Sequence, residues 1–405
     1  MRITALALAA FFVVVQFYTS LASLSPTPPV GYVFATRAVA AGLIVVLIVS
    51  ALWCLGELLR ERRPVPATSR ALLSAWIAPA ALAAVLGFDP LSSLQVVAVM
   101  LLTGIFHIAL VRYYARPPVA RYLLGAYLWT GLAASVAALA MLAAREPAAL
   151  FALNNGRAAG FFVTANQFAS FLIAFIFIAF GTALASAGRL RGLAATASAS
   201  ALLALVATVS LAGWFGGAAG AIFFAFASGA RRTGIALSCC CVALALVLAL
   251  HPLRHNPAGS LDRLRTWGAG LRVAALLPLT GTGPMAYWRV YPAIRAPDGD
   301  PPGSFGALHP HNAYLSLAAE TGAVGLLAFA YGWYRFGRTV ASTLRASPPR
   351  GRSLALGACA GLVALLAQGL FDSIGIVEVT FVWIPYTALA LAAAEAGFPI
   401  PARAR

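Results

Sequence analysis

Long apolar stretches, separated by short polar and proline-bearing turns, run along the whole chain. They fall at about 3–24, 32–55, 70–87, 91–111, 121–143, 160–186, 193–209, 214–229, 234–251, 313–334, 354–370 and 376–395. Most have the ~17–25 residues that an α-helix needs to cross a hydrocarbon core of roughly 30 Å. None alternates in polarity as the strands of a membrane barrel do. The pattern predicts an all-α polytopic membrane protein with about twelve transmembrane helices. The seventh and eighth stretches are short and read equally as one irregular pair.

One gap in this pattern is long, at 252–312. Within it, residues 261–277 read LDRLRTWGAGLRVAALL. At ~100° per residue Leu264, Trp267, Leu271 and Ala275 share a stripe. Arg265 and Arg272 share one flank, and Arg263 falls on the other. Trp at an interface and Arg above lipid suit an amphipathic helix lying on the membrane surface. Pro278 can end it, before the tight turn Gly281-Thr282-Gly283-Pro284. The expected organisation is N-terminal transmembrane helices over 1–155, a second transmembrane region over 156–396 carrying the loop 252–312, and a tail at 397–405. The linkers are Pro-bearing turns such as Ser25 to Pro29 and Pro297 to Pro302.

Composition agrees with the pattern: 61% of residues are hydrophobic and 10% charged, against about 25% charged in a soluble domain. Formal net charge is +17 and all 28 basic residues are Arg. Such a charge suggests nucleic acid, but the excess of basic residues in cytoplasmic loops already explains most of it. Nineteen of the 28 arginines fall on one side, which is then cytoplasmic and holds both termini. Six of the other nine (Arg254, Arg263, Arg265, Arg272, Arg289 and Arg295) lie in the loop 252–312 on the opposite side. Either they snorkel to lipid phosphate or they hold an anion. Residues 1–25 read as a first span rather than a cleaved signal. The five cysteines have neither metal-ligand spacing nor a disulfide partner outside the membrane.

Candidate chemistry collects where the long loop ends, at His309-Pro310-His311-Asn312-Ala313-Tyr314-Leu315. Asn312 is a good N-cap, and Pro310 keeps His309 out of the helix. Glu320 lies eight residues on, roughly 12 Å deeper at ~1.5 Å per residue. A carboxylate there needs a protein partner, whether structural or catalytic. The histidines read as catalytic groups, as interfacial residues, or as metal ligands with His255 or Asp300. The glycines at 322 and 325 read as helix-packing positions. Trp267 and Tyr287 are interface anchors or sugar-stacking platforms. Asp372 either pairs with an arginine or caps a helix. His107 reads as a satisfied core histidine.

The order of these motifs resembles the family of bacterial O-antigen ligases and polymerases. The carrying residues are His309 to Leu315 followed by Glu320-Thr321-Gly322-Ala323-Val324-Gly325; Arg263 with Trp267; Pro278-Leu279-Thr280-Gly281-Thr282-Gly283; Arg157-Ala158-Ala159-Gly160 running to Asn166; and Phe371-Asp372-Ser373. The resemblance covers roughly 155–390. At Ser210-Leu211-Ala212-Gly213, relatives carry Arg where this chain has Leu211, so one phosphate-facing charge is missing.

The resemblance implies an inner-membrane glycosyltransferase with a periplasmic site. The donor would be a glycan on undecaprenyl pyrophosphate. The acceptor would be a sugar hydroxyl on lipid A–core for a ligase, or another glycan for an O-antigen or exopolysaccharide polymerase; the form of the His-Asn motif favours ligase. Arg263, Arg265 and Arg157 would bind pyrophosphate, since guanidinium forks suit phosphate. His311 would be the general base, since imidazole titrates near neutrality, with His309 beside it. Asn312, Glu320, Trp267 and Asp372 would support them. Inversion, no metal and no cofactor are expected. The rival class is a non-enzymatic transporter or flippase of lipid-linked sugar, which should show charges at mid-membrane depth in paired repeats.

Overall fold

The structure, a computed structural model, describes residues 1–16, 37–250, 257–294, 309–346, 349–372 and 379–399; of these, the side chains at 37–40, 242–250, 257–263 and 349–351 are not described. The two Pro-bearing linkers, His255, Arg254, Arg295, Asp298, Asp300 and Ser373 lie outside the described residues. The elements are α1 (Arg2–Val15), α2 (Arg37–Glu61), α3 (Ala67–Leu86), α4 (Pro90–Tyr113), α5 (Pro117–Ala144), the short α6 (Ala148–Leu153), α7 (Ala165–Ala185), α8 (Gly188–Ala207), α9 (Leu211–Ala227), α10 (Arg231–Leu250), α11 (Pro257–Leu276), α12 (Tyr287–Ile294), α13 (Ala313–Ala346), α14 (Pro349–Gln368) and, after a π turn at Val379–Trp383, α15 (Ile384–Ala396).

Among the described residues there is no strand. Among the described residues, eight helices are long and apolar enough to cross a membrane, and Arg2–Val15, Leu211–Ala227 and Arg352–Gln368 are shorter apolar helices. The chain is a multi-pass, all-helical membrane protein. The expected span at 160–186 starts late. Residues before it form turns, and Thr164 opens α7 with a capping box, its hydroxyl accepting from Gln167 N.

Helix α14 is the central post. It packs along α7 and α9 through glycines that let backbones touch, as small residues do inside a bilayer. Gly357 meets the Phe177 carbonyl of α7, and Gly216 and Gly220 of α9 meet the Ala364 and Ala360 carbonyls. Gly181 meets Ser353 at one end, while Gln368 Nε2 donates to the Asn166 carbonyl at the other. The two helices therefore run antiparallel, and the start of α7 stands beside the end of α14.

Helix α13 runs antiparallel to α3: Thr68 and Thr339 share a hydroxyl bond of 3.0 Å, and Trp76 Nε1 donates to the Phe329 carbonyl. Some buried polar groups elsewhere in the bundle are paired with one another, as lipid depth favours. Tyr127, Tyr386 and Gln16 form a hydrogen-bonded chain, with links of 2.7 and 2.6 Å. His107 bonds the Ile384 carbonyl and Ser69 Oγ, so it is the satisfied core histidine expected.

The largest departure from expectation is in α13. It runs to Ala346, not 334, and breaks at Gly322, whose φ of 63° and ψ of −169° are non-helical. Gly322 is thus a break as well as a close-packing glycine. A break this deep frees backbone groups that must be satisfied by protein. The segment 278–283 does so. Thr282 N donates to the Ala319 carbonyl, Gly283 N to the Glu320 carbonyl, Ala323 N to the Pro278 carbonyl and Val324 N to the Leu279 carbonyl, at 2.8–3.2 Å. Gly281 (φ 74°) and Gly322 each lie so close to the facing backbone that a Cβ on either would collide with it. The Pro-Leu-x-Gly-x-Gly motif and the Glu-x-Gly motif are two halves of one joint.

Candidate active site at one mouth of the bundle

The joint sets the start of α13 beside the end of α14. Ala313 N donates to the Gly369 carbonyl at 2.7 Å. Asn312 is the expected cap: its Oδ1 accepts from Tyr314 N and Leu315 N, both at 3.0 Å, and its Nδ2 donates to the Leu370 carbonyl at 2.8 Å. Asn312 therefore fixes two helix ends at once. Just before it, His311 adopts φ 51°, a left-handed conformation unusual for a side-chain-bearing residue and common at functional sites. His311 N donates to His309 Nδ1 at 3.2 Å, and the two rings stand 4.3 Å apart.

His311 Nδ1 lies 3.0 Å from Asp372 Oδ1. The other oxygen of Asp372 accepts from Asn166 Nδ2. Asn166 Oδ1 accepts from Arg157 Nη2 at 2.8 Å, and Arg157 Nε donates to the Thr208 carbonyl at 2.7 Å. One hydrogen-bonded line thus runs Arg157, Asn166, Asp372, His311, drawn from four places in the chain. Asp372, expected as an arginine partner or a cap, has His311 and Asn166 among its partners. The sequence motif that contains Asn166 assigns it no role. The His311 side chain stays 29% exposed.

Glu320 is 3% exposed. The backbone N–H groups of Met285 and Tyr287 point at its carboxylate, which places it at the N-terminus of α12. Its Oε2 oxygen is buried with no hydrogen-bond partner among the described residues, so the protein meets only part of what its depth requires.

The surface helix α11 docks by a face opposite to its leucine stripe. Thr266, Ala269 and Val273 are buried, while Leu264 and Leu271 are 60% and 59% exposed. Gly270 touches Pro310 and Leu315, so α11 lies against the His309–His311 loop. At about 100° per residue, Arg263 falls within about 20° of Gly270, on the flank facing that loop; its side chain lies outside the described residues. Arg265 is exposed on the other flank with Arg272, whose Nε donates to the Ile294 carbonyl at 3.2 Å. Trp267 is half-buried, with Nε1 turned inward. Leu211 begins α9, 46% exposed, three residues after Thr208.

The N-terminal helices support this loop, which hydropathy alone could not show. Phe88 N donates to the Thr282 carbonyl, Ser93 Oγ to the Pro284 carbonyl at 2.8 Å, and Arg289 Nε pairs with Asp89 at 2.6 Å. Asp89 caps α4. Its carboxyl is held below the usual range, first by the hydrogen bond from Ser92 and also by Arg289 beside it.

Residues 168–330 match the O-antigen ligase family. This stretch is an O-antigen ligase domain. No curated protein matches the chain. The ligase domain contains Arg263, Arg265, Trp267, His309, His311, Asn312 and Glu320. Arg157, Asn166 and Asp372 lie outside the matched residues, yet the fold joins them to His311. The family is one of glycosyltransferase-type enzymes acting with lipid-linked glycans and their acceptors. Among the described residues of the ligase domain and its surroundings, no group of three or more His, Cys, Asp or Glu could hold a metal ion. His255 and Asp300, the remaining candidates for such a set, lie outside the described residues.

Proposed function

We infer that this protein is an inverting membrane glycosyltransferase. It moves a glycan from undecaprenyl pyrophosphate to a sugar hydroxyl on lipid A–core, at the periplasmic face of a bacterial inner membrane, with both termini cytoplasmic. The observation that carries this reading is the 3.0 Å contact of His311 Nδ1 with Asp372 at the mouth of an O-antigen ligase domain.

A carboxylate accepting from Nδ1–H fixes the tautomer in which Nε2 carries a lone pair. That nitrogen takes the proton of the acceptor hydroxyl. The hydroxyl oxygen bonds to the anomeric carbon from the face opposite the carrier. The bond from that carbon to the pyrophosphate oxygen breaks, and its electron pair leaves with the pyrophosphate. Arg263 meets that growing charge, with Arg265 and Arg157 as further candidates. Guanidinium can do so without losing its own charge, so the reaction runs without metal. His309 sits beside the base to orient the acceptor.

His311→Ala tests the reading. Glycan transfer should vanish with expression and folding intact, whereas a flippase of lipid-linked sugar should tolerate the change. The banding pattern of lipopolysaccharide in a deletion strain separates ligase from polymerase. Loss of all long chains, with free lipid-linked polymer accumulating, marks a ligase; loss of all but one repeat marks a polymerase.

A further inference from the structure

Helices α13 and α14 are bonded at both ends and hollow between. Near the site, Tyr314 Oη donates to the Leu366 carbonyl at 2.8 Å; at the far end, Arg352 Nη2 donates to the Arg345 carbonyl at 3.2 Å. Between these ties lies a cavity of about 570 Å³, with α9 as its third wall. Phe223, Trp333, Phe336, Val340, Leu356 and Leu362 line it, and among the described residues its charged lining residues are Arg345 and Arg352, at the end far from His311, with no acidic side chain. The volume and the apolar wall with few polar groups are those of a ligand site between helices, roughly 300–1,000 Å³.

The charges say which molecule fits. From Arg352 to Leu366 the helix rises ~21 Å at ~1.5 Å per residue, most of the length of α14. The hollow therefore runs from a cationic end, at the headgroup level opposite His311, toward the His311 mouth. We propose that it binds an anionic phospholipid of the leaflet opposite His311, one acyl chain in the hollow and the phosphate against Arg345 and Arg352. Paired guanidinium groups recognise phosphate by charge and by fork geometry. A zwitterionic lipid would bring its own cation against them. A polyprenyl tail entering from the His311 side would reach the hollow at Leu366 and would not need the arginines. The site stands on the hollow and its charges alone and does not rest on the glycosyl-transfer reading.

Native mass spectrometry of the full chain, extracted with its lipids and released gently, tests this. The expected result is one retained anionic phospholipid per chain, its occupancy falling roughly tenfold or more in Arg345→Gln/Arg352→Gln as the charge-assisted bonds go. Gly337→Phe should do the same with both arginines in place, because Gly337 lines the hollow and a Cβ there meets no atom within 4 Å. Elution volume and unfolding midpoint check that each variant is folded; if Gly337→Phe is not, the arginine variant decides alone. An anionic adduct undiminished in the folded arginine variant overturns the proposal. So does equal retention of a zwitterionic lipid, or displacement by undecaprenyl phosphate regardless of the arginines.

Discussion

His311 and Asp372 are 61 residues apart in the chain and 3.0 Å apart in the fold. If Asp372 holds the imidazole in the tautomer that leaves Nε2 free, Asp372→Asn keeps the size and reverses the instruction. The amide can donate to Nδ1 and so favours the wrong tautomer. The turnover rate for glycan transfer should fall roughly 10²–10⁴-fold, with the donor KM changed by only a few fold. A rise in KM with an unchanged rate would instead put Asp372 in substrate binding.

Arg157 acts, on this geometry, through Asn166 and Asp372. A double-mutant cycle of Arg157→Ala with Asn166→Ala should therefore be non-additive, since groups in one hydrogen-bond network couple by about 0.5–3 kcal/mol. Both single changes should lower the rate more than they raise KM. Additive losses, with Arg157→Ala expressed mainly in donor KM, would show that Arg157 contacts the pyrophosphate itself.

The fold class was legible because apolar length is a strong signal, and each expected stretch holds a helix. The candidate residues were legible because unusual groups, such as His309, His311 and Glu320, stand out against an apolar background. Their connections were not. Nothing in the spacing of Asn166 and Asp372 states that α7 and α14 run antiparallel, which alone brings the two together. The break at Gly322 was hidden for a related reason. Its partner backbone, at 278–283, lies some forty residues upstream, and hydropathy sees no difference between a helix and a broken helix of the same composition. The role of α3 and α4 was invisible, because Asp89 and Ser93 look like ordinary turn and cap residues.

The joint between 278–283 and the break in α13 makes a prediction about stability. Gly281→Ala and Gly322→Ala each place a Cβ against backbone and force a left-handed conformation on alanine. Each should destabilise the protein by roughly 2–4 kcal/mol, the sum of strain and overpacking costs. Gly337→Ala, whose Cβ meets no atom within 4 Å, is the control. Unfolding midpoints in detergent should fall for the first two and hold for the third.

Asp89 gives a pH dependence with a definite sign. Its carboxyl is held low, first by Ser92 and then in part by Arg289. A carboxyl whose folded pKa is depressed stabilises the folded state above its unfolded pKa and loses that contribution as pH falls through the folded value. The contribution is complete at neutral pH and fades only in strong acid. Asp89→Asn should lower the midpoint at pH 7, and the gap from the unaltered protein should close as pH drops below the ordinary carboxylate range. A gap that widens on acidification would remove the ionised form of Asp89 from the account.

The two arginines at the head of α11 should behave unequally. Arg263 falls on the flank that carries Gly270, which touches Pro310. Arg265 falls on the opposite flank, beside Arg272, whose own bond goes to the end of α12. Two residues apart on a helix, their positions stand about 160° apart around the axis. On the proposed function, helix register therefore puts Arg263, and not Arg265, on the flank nearer His311. Arg263→Ala should lower kcat/KM on the order of 10²–10³-fold, the usual loss when a charge-stabilising donor is removed. Arg263→Lys should restore only part of it, because an ammonium keeps the charge and loses the fork. Arg265→Ala should cost no more than a few fold. Kinetics of all three variants on one lipid-linked donor decide the matter. If Arg265→Ala proved as damaging as Arg263→Ala, the anion would have to sit across the helix crest rather than on the flank beside His311.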